Sequence, residues 1–278
     1  MPTPEVSMIT AVRVPASVDA AVDLAARGGW IMGGGTIVMP QVNTGAVGDI
    51  ELISLRRAGL GGIQPDGGSV RIGAATTLAE VGEHAELGFL AAAVHAIAAP
   101  SIRNLATVGG NLFAPQPYGD FAACLLALDA TVGIAGPAGP RQCPVDELFR
   151  TGPAAGELVT SVTVPLPPAG AWFFHKAMRR KLNSAAIVAV AAVVRTDGGV
   201  VTAARIALGG VAPRPVRAFA AERSLTGRPL DRAAVAAAGQ AAQADIDPAD
   251  DAYASAWYRR RVLPVHLRRA LLADPPIG

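Results

Sequence analysis

The chain has 278 residues, 51% hydrophobic and 17% charged, with a formal net charge of +2. That length favours two domains, or one elaborated domain, and leaves ample apolar material for a core. A near-neutral charge, no long basic run and few aromatics argue against a nucleic-acid surface, and the most apolar run, Ala185–Val194, falls short of the ~20 residues of a membrane-spanning helix.

The N-terminal Met-Pro-Thr-Pro-Glu lacks a basic stretch followed by an apolar one, so no signal peptide and a cytoplasmic location are expected. Cys124 and Cys143 are isolated, which leaves no thiol set for a structural zinc or an iron–sulfur cluster. His84, His95, His175 and His266 are scattered, and none stands at ligand spacing from a carboxylate. Each reads as a structural or surface histidine. Redox metals, if the chemistry needs them, belong to a partner.

Ser17 caps a predicted helix with the apolar face Val18, Ala21, Val22 and Ala25, ended by Gly28-Gly29. Trp30–Met32 reads as a short strand that delivers a first glycine cluster, Gly33-Gly34-Gly35-Thr36. The dinucleotide fingerprint and the P-loop lysine are both missing there. Glu51–Leu55 and the alternating Val70–Ala74 read as strands, the latter after an Asp66-Gly-Gly turn. Thr77 and Glu80 have capping-box spacing. Phe89–Ala98 reads as a helix stopped by Pro100.

The segment Ser101 to Asp120 then holds Gly109-Gly110 flanked by Thr107 and Asn111. Two glycines there allow positive φ and let backbone N–H groups approach a phosphate. Asp120 reads as the N-cap of Phe121–Leu128. Two glycine loops in one chain suggest a clamp on a long, phosphate-containing ligand.

Thr131–Ile134 and the alternating Leu158–Val164 read as strands that complete an α+β region, and Pro165–Gly170 is the best domain boundary, giving domains 1–168 and 169–278. Beyond it, Trp172–Met178, Ala185–Arg195 and Val200–Leu208 predict three antiparallel strands, the last two joined across Asp197-Gly-Gly. Helices follow at Arg232–Gln243, capped by Asp231, and at Tyr253–Ala273, kinked by Pro264. Arg259-Arg-Arg261 and Arg268-Arg269 read as a solvated or partner-facing side of the last helix.

Four segments of the sequence are similar to the flavin-carrying medium subunits of the molybdenum hydroxylases, the group of carbon monoxide and xanthine dehydrogenases. They are Gly33-Gly-Gly-Thr-Ile-Val-Met-Pro40, Ile72-Gly-Ala-Ala-Thr-Thr-Leu-Ala-Glu80, Ile102-Arg-Asn-Leu-Ala-Thr-Val-Gly-Gly-Asn111 with Asp120, and the C-terminal Tyr258-Arg-Arg with Arg268-Arg-Ala-Leu271. The third is the most specific, and together they span nearly the whole chain.

The resemblance implies a PCMH-type FAD-binding domain of two α/β subdomains, followed by a three-stranded antiparallel sheet with a helix bundle. It implies that noncovalent FAD is held by Gly33, Gly34, Gly35, Thr36, Ile37 and Val38, by Thr76, and by Asn104, Thr107, Val108, Gly109, Gly110 and Asn111. Asp120 would contact the sugar part, Val159 would pack on the isoalloxazine ring, and Lys176 would approach that ring. Ile37 replaces a polar residue usual in the family, Ser184 replaces an aspartate, and Pro115–Asp120 departs from the common Ala-Ser-Pro pattern. The implied partners are a large molybdenum–pterin subunit and a small [2Fe-2S] subunit, in a dimer of heterotrimers. No residue of the chain is a convincing acid, base or nucleophile, which suits an electron relay. An autonomous flavin oxidase or reductase and a noncatalytic nucleotide-binding scaffold are the alternatives.

Overall fold

The computed structural model describes residues 9–180 and 184–272. The chain is α+β and divides into two compact units that interleave in sequence. The first runs to Val81 and takes in Pro100–Ala114 and Thr131–Val164; the second comprises Gly82–Ala99, Pro115–Ala130 and the chain from Pro165 onward.

The first unit contains two sheets. Strands β1 (Ile9–Arg13), β2 (Trp30–Met32) and β3 (Ile50–Ser54) form a parallel sheet in the order β1-β3-β2. Parallel pairing needs a crossover, supplied here by the helix Val18–Ala26, whose Ser17 Oγ accepts the Ala20 N–H as expected. Ala21 and Val22 of that helix pack on Ile53, Leu55 and Leu158. Strands β4 (Ile63–Asp66), β5 (Ser69–Gly73), β6 (Thr131–Gly136), β7 (Gly139–Pro144) and β8 (Leu158–Pro165) make a sheet of order β4-β5-β8-β6-β7. The two glycines of the Asp66-Gly-Gly turn both have positive φ, as a tight hairpin between β4 and β5 requires. Strand β7 and the helix Val145–Thr151 that follows it were not legible in the sequence. Its Pro140 and Pro144 disguise β7, yet its place at the sheet edge tolerates them.

The second unit is built on β9 (Trp172–Met178), β10 (Ala186–Asp197) and β11 (Val200–Gly209), antiparallel as predicted, to which the two-residue β12 (Val216–Arg217) adds a fourth strand. Gly198 and Gly199 close the β10–β11 turn with φ of 54° and 81°. Ala186–Val194 of β10 is buried throughout, so both faces of the sheet are covered. On one face Val188, Val190, Ala192 and Val194 pack against the helices Phe219–Leu225, Arg232–Ala241 and Ala256–Leu272. On the other lies the helix Asp120–Ala127, every residue of which is buried. Small residues let it approach closely: a Cβ on Gly209 would fall within 3.6 Å of both Ala189 and Ala123 Cβ atoms.

Three local expectations are corrected. The Phe89–Ala98 stretch is a 3-10 turn (Ala85–Leu90) followed by a short α-helix (Ala91–His95). Asp120 is the first helical residue, and the cap is Gly119, at φ 81° in the left-handed region. Arg259 is no part of a solvated face. It is 1% exposed, and its guanidinium donates to the carbonyls of Ile187, Ala249 and Ala254 and pairs with Asp251 at 2.8 Å. The last helix runs Ala256–Leu272 with Pro264 inside it; Ala273 lies outside the described residues.

Candidate functional site

In the first unit three segments are woven together by backbone contacts. Thr76–Leu78 pairs with Ala106–Val108: the Leu78 N–H donates to Ala106 O (2.8 Å) and the Val108 N–H to Thr76 O (2.9 Å). The capping box is formed, with the Thr77 N–H to Glu80 Oε2 at 2.7 Å and the Glu80 N–H to Thr77 Oγ1 at 3.2 Å. The first glycine loop lies on the same weave. A Cβ on Gly34 would stand 1.6 Å from Leu105 O, and one on Gly33 would stand 2.5 Å from Thr107 Oγ1. Only glycine permits that approach. Gly35 adds a positive φ of 74°.

The two glycine clusters therefore differ in kind. Neither Gly109 nor Gly110 has positive φ; both lie in a helical turn, Val108–Asn111. Their amides are committed internally, Gly109 to Ala74 O (2.8 Å) and Gly110 to Thr107 Oγ1 (3.1 Å). The absent Cβ of Gly109 is explained by Ala74, whose Cβ would be 2.9 Å away. The expectation that both clusters present N–H groups to a phosphate is thus corrected. Among the described residues, the amides of Gly34, Gly35 and Thr36 donate to no protein acceptor, so the open donors belong to the first cluster. Asn111 adds a buried Oδ1 with no hydrogen-bond partner among the described residues. A buried polar atom left unpaired is costly. Half-buried open amides and an orphaned acceptor in the same unit fit a ligand that carries both an anion and hydroxyl groups.

The other expected residues fall in varied surroundings. Ile37 and Val38 begin the helix Val38–Asn43, and Ile37 offers no side-chain cap, the consequence of its apolar identity. The Thr76 hydroxyl is taken up by Gly62, accepting its N–H at 3.0 Å and donating to its carbonyl at 3.1 Å. Asn104 is exposed, and Val159 is buried in β8 opposite Ile134.

In the second unit, strand alternation sorts two neighbours to opposite faces. Lys176 pairs in register with Ala189, on the face of the helix Asp120–Ala127. Its ammonium donates to Asp120 Oδ2 at 2.7 Å and to Ala96 O at 2.8 Å, and both charged side chains are at most 5% exposed. Burial pushes the Asp120 carboxyl above its ordinary range, and the Lys176 ammonium pulls it back. His175, one residue earlier, meets His266 of the last helix with Nε2 to Nδ1 at 2.9 Å. Burial lowers the pKa of both; that of His266 falls to about 4, with His175 and Arg269 adding to the effect. No sequence signal linked these two histidines. Among the described residues, the buried Ser184 hydroxyl has no hydrogen-bond partner.

Among the described residues no group of three His, Cys, Asp or Glu side chains could hold a metal, and no helix is long and apolar enough to cross a membrane.

Residues 7–167 match the FAD-binding domain of molybdopterin dehydrogenases, and residues 172–273 match the C-terminal domain of carbon monoxide dehydrogenase flavoproteins. The medium chain of carbon monoxide dehydrogenase from Afipia carboxidovorans is 34% identical over 254 residues, 86% of either chain. That from Hydrogenophaga pseudoflava is 32% identical over 271 residues, 93% of this chain and 94% of the relative. A solved carbon monoxide dehydrogenase from Hydrogenophaga pseudoflava superposes with a TM-score of 0.91, covering 96% of this chain and 97% of that one at 32% identity. Quinoline 2-oxidoreductase from Pseudomonas putida gives 0.88 over 96% and 97% at 28% identity. Backbone-lined glycine loop, orphaned acceptor and matched sequence thus lead to one assignment: the chain belongs to the FAD-binding medium subunits of the molybdenum-dependent dehydrogenases.

Proposed function

We propose that this chain is the electron-relay subunit of a heterotrimeric molybdenum hydroxylase, carrying a noncovalent FAD. A large molybdenum–pterin partner oxidises the substrate, a small [2Fe-2S] partner conducts the electrons, and this chain delivers them to an external acceptor. The domains proposed are 1–168 for FAD binding and 169–278 for the C-terminal region. A cytoplasmic dimer of heterotrimers is the proposed assembly.

One observation carries the reading: the three open amides of Gly34, Gly35 and Thr36 lie in a backbone weave that only glycine allows. Those amides suit the diphosphate, whose charge they neutralise without a competing protein acceptor. Asn111 Oδ1 would accept a hydrogen bond from a hydroxyl of the cofactor, meeting its own unfilled requirement. Thr107 and Thr76 hold the weave itself, through Gly110 and Gly62. FAD, when bound, supplies the redox chemistry, accepting an electron pair and passing it on. The protein supplies binding, orientation and electrostatics.

The test is the native complex stripped of its flavin. The deflavo complex should still bleach its iron–sulfur absorbance with substrate, yet lose transfer to the acceptor until FAD is restored. Turnover of an organic substrate by the isolated chain would instead mark an autonomous flavoenzyme.

A further inference from the structure

Two thioether side chains flank the loop that carries the open amides. Met32 ends β2, an edge strand of the parallel sheet, and Met39 lies in the helix Val38–Asn43 that leaves the loop. Gly35 sits against both: a Cβ there would meet Met32 Sδ and Met39 Cγ, each at 3.3 Å. The Met39 N–H donates to Gly35 O at 3.0 Å and ties the same turn through the backbone. Both methionines are half-buried and pack on the small core cluster of Val42, Ile50 and Leu52. An unbranched thioether suits such an irregular gap, and its sulfur is also open to oxidation. The third methionine among the described residues, Met178, lies in β9 of the other unit.

We propose that Met32 is an oxidation site that regulates this loop: hydrogen peroxide converts its thioether to the sulfoxide, and the loop loses its hold on the cofactor's diphosphate. This proposal rests on the FAD reading above. The sulfur lone pair bonds one peroxide oxygen, the O–O bond breaks, and the other oxygen leaves as water. Sulfur is oxidised by two electrons and the peroxide reduced by two. The product is polar where the thioether was apolar, so its packing on the Val42, Ile50 and Leu52 cluster becomes costly. Its oxygen is also a strong acceptor set beside Gly34, Gly35 and Thr36, whose amides donate to no protein acceptor among the described residues. It competes with the anion for those donors. Methionine sulfoxide reductases reverse the change, which makes the site a switch.

The test treats the full chain, free of flavin, with hydrogen peroxide, locates the added oxygen by peptide mass spectrometry, and titrates FAD before and after. Oxygen should appear on Met32, and FAD binding should weaken by about tenfold, the worth of one polar group left badly placed. Repair by methionine sulfoxide reductases should restore both the mass and the affinity. Met32→Leu keeps the volume and apolar character of the side chain. Compared with itself before treatment, the M32L chain should keep its affinity. Oxygen on Met32 with unchanged FAD affinity would overturn the proposal. So would oxidation confined to Met178, or a loss in M32L as large as in wild type, which would place the sensitive group elsewhere. If M32L does not fold, the reductase repair of wild type decides alone: affinity that returns with the mass supports the proposal, and affinity that stays low overturns it. Failure of the untreated chain to bind FAD would instead mark the failure of the FAD reading, and the proposal would fall with it.

Discussion

The substitution Gly34→Ala tests the weave of the candidate site directly. The added Cβ would lie 1.6 Å from Leu105 O and 2.4 Å from Leu105 C, both backbone atoms that no rotamer change can move aside. Real Cβ contacts essentially never fall under 3.0 Å, so reaching even that distance requires a 1.4 Å separation of the two segments. Overpacking of this kind costs about 1–3 kcal/mol, and a backbone clash belongs at the upper end. For a protein of this size about 3 kcal/mol corresponds to a fall of roughly 6–12 °C in Tm. The functional loss should be larger, because displacing ligand-binding groups by about 1 Å can cost on the order of 100-fold. The assay is FAD titration by fluorescence quenching together with thermal melting. Gly48→Ala is the control, since nothing lies within 4 Å of a Cβ there and its φ is not positive. A Gly34→Ala chain that binds FAD and melts like wild type would refute the idea that this glycine is required by close backbone approach.

Other outcomes follow from the second unit and from the capping box. Arg259→Met leaves four carbonyls and Asp251 without their donor, and should cost about 3–5 kcal/mol, read as a lowered urea midpoint. Glu80→Ala removes the acceptor of the Thr77 N–H and should cost about 1 kcal/mol by the same measurement. His266 is held neutral in the folded chain, with its pKa lowered from 6.5 to about 4, so the unfolded chain binds more protons in that interval. Its stabilising contribution is complete above about pH 6.5 and is lost as pH falls toward 4. After discounting for its partial exposure, that loss is on the order of 2 kcal/mol. Denaturant midpoints of His266→Gln should therefore depend less steeply on pH between 6.5 and 4 than those of wild type; parallel profiles would contradict the assignment.

Legibility tracked the range of the interactions involved. Ser17, Asp231 and the Thr77–Glu80 box act within three residues, and each makes the predicted capping bond. The Asp197-Gly-Gly hairpin is likewise local, its geometry dictated by two glycines at positive φ. Long-range demands overrode local preference elsewhere. Asp120 has the character of a cap, but Lys176, 56 residues away, takes its carboxylate, and Gly119 turns the chain instead. Arg259 stands in an arginine run that reads as solvated; its burial depends on carbonyls of β10 that are 72 residues distant. Gly109-Gly110 illustrates a different ambiguity. A glycine needed because another backbone passes close by looks, in sequence, the same as one needed by a ligand. The contact with Ala74 and the internally bonded amides distinguish the two cases, and they leave Gly34, Gly35 and Thr36 as the open donors.

The most direct test of the central claim is the absorbance spectrum of the purified protein before and after acid precipitation. Flavin bands that pass into the supernatant, identified as FAD at one per chain, are the predicted result. A colourless chain that also fails to bind added FAD would contradict the account.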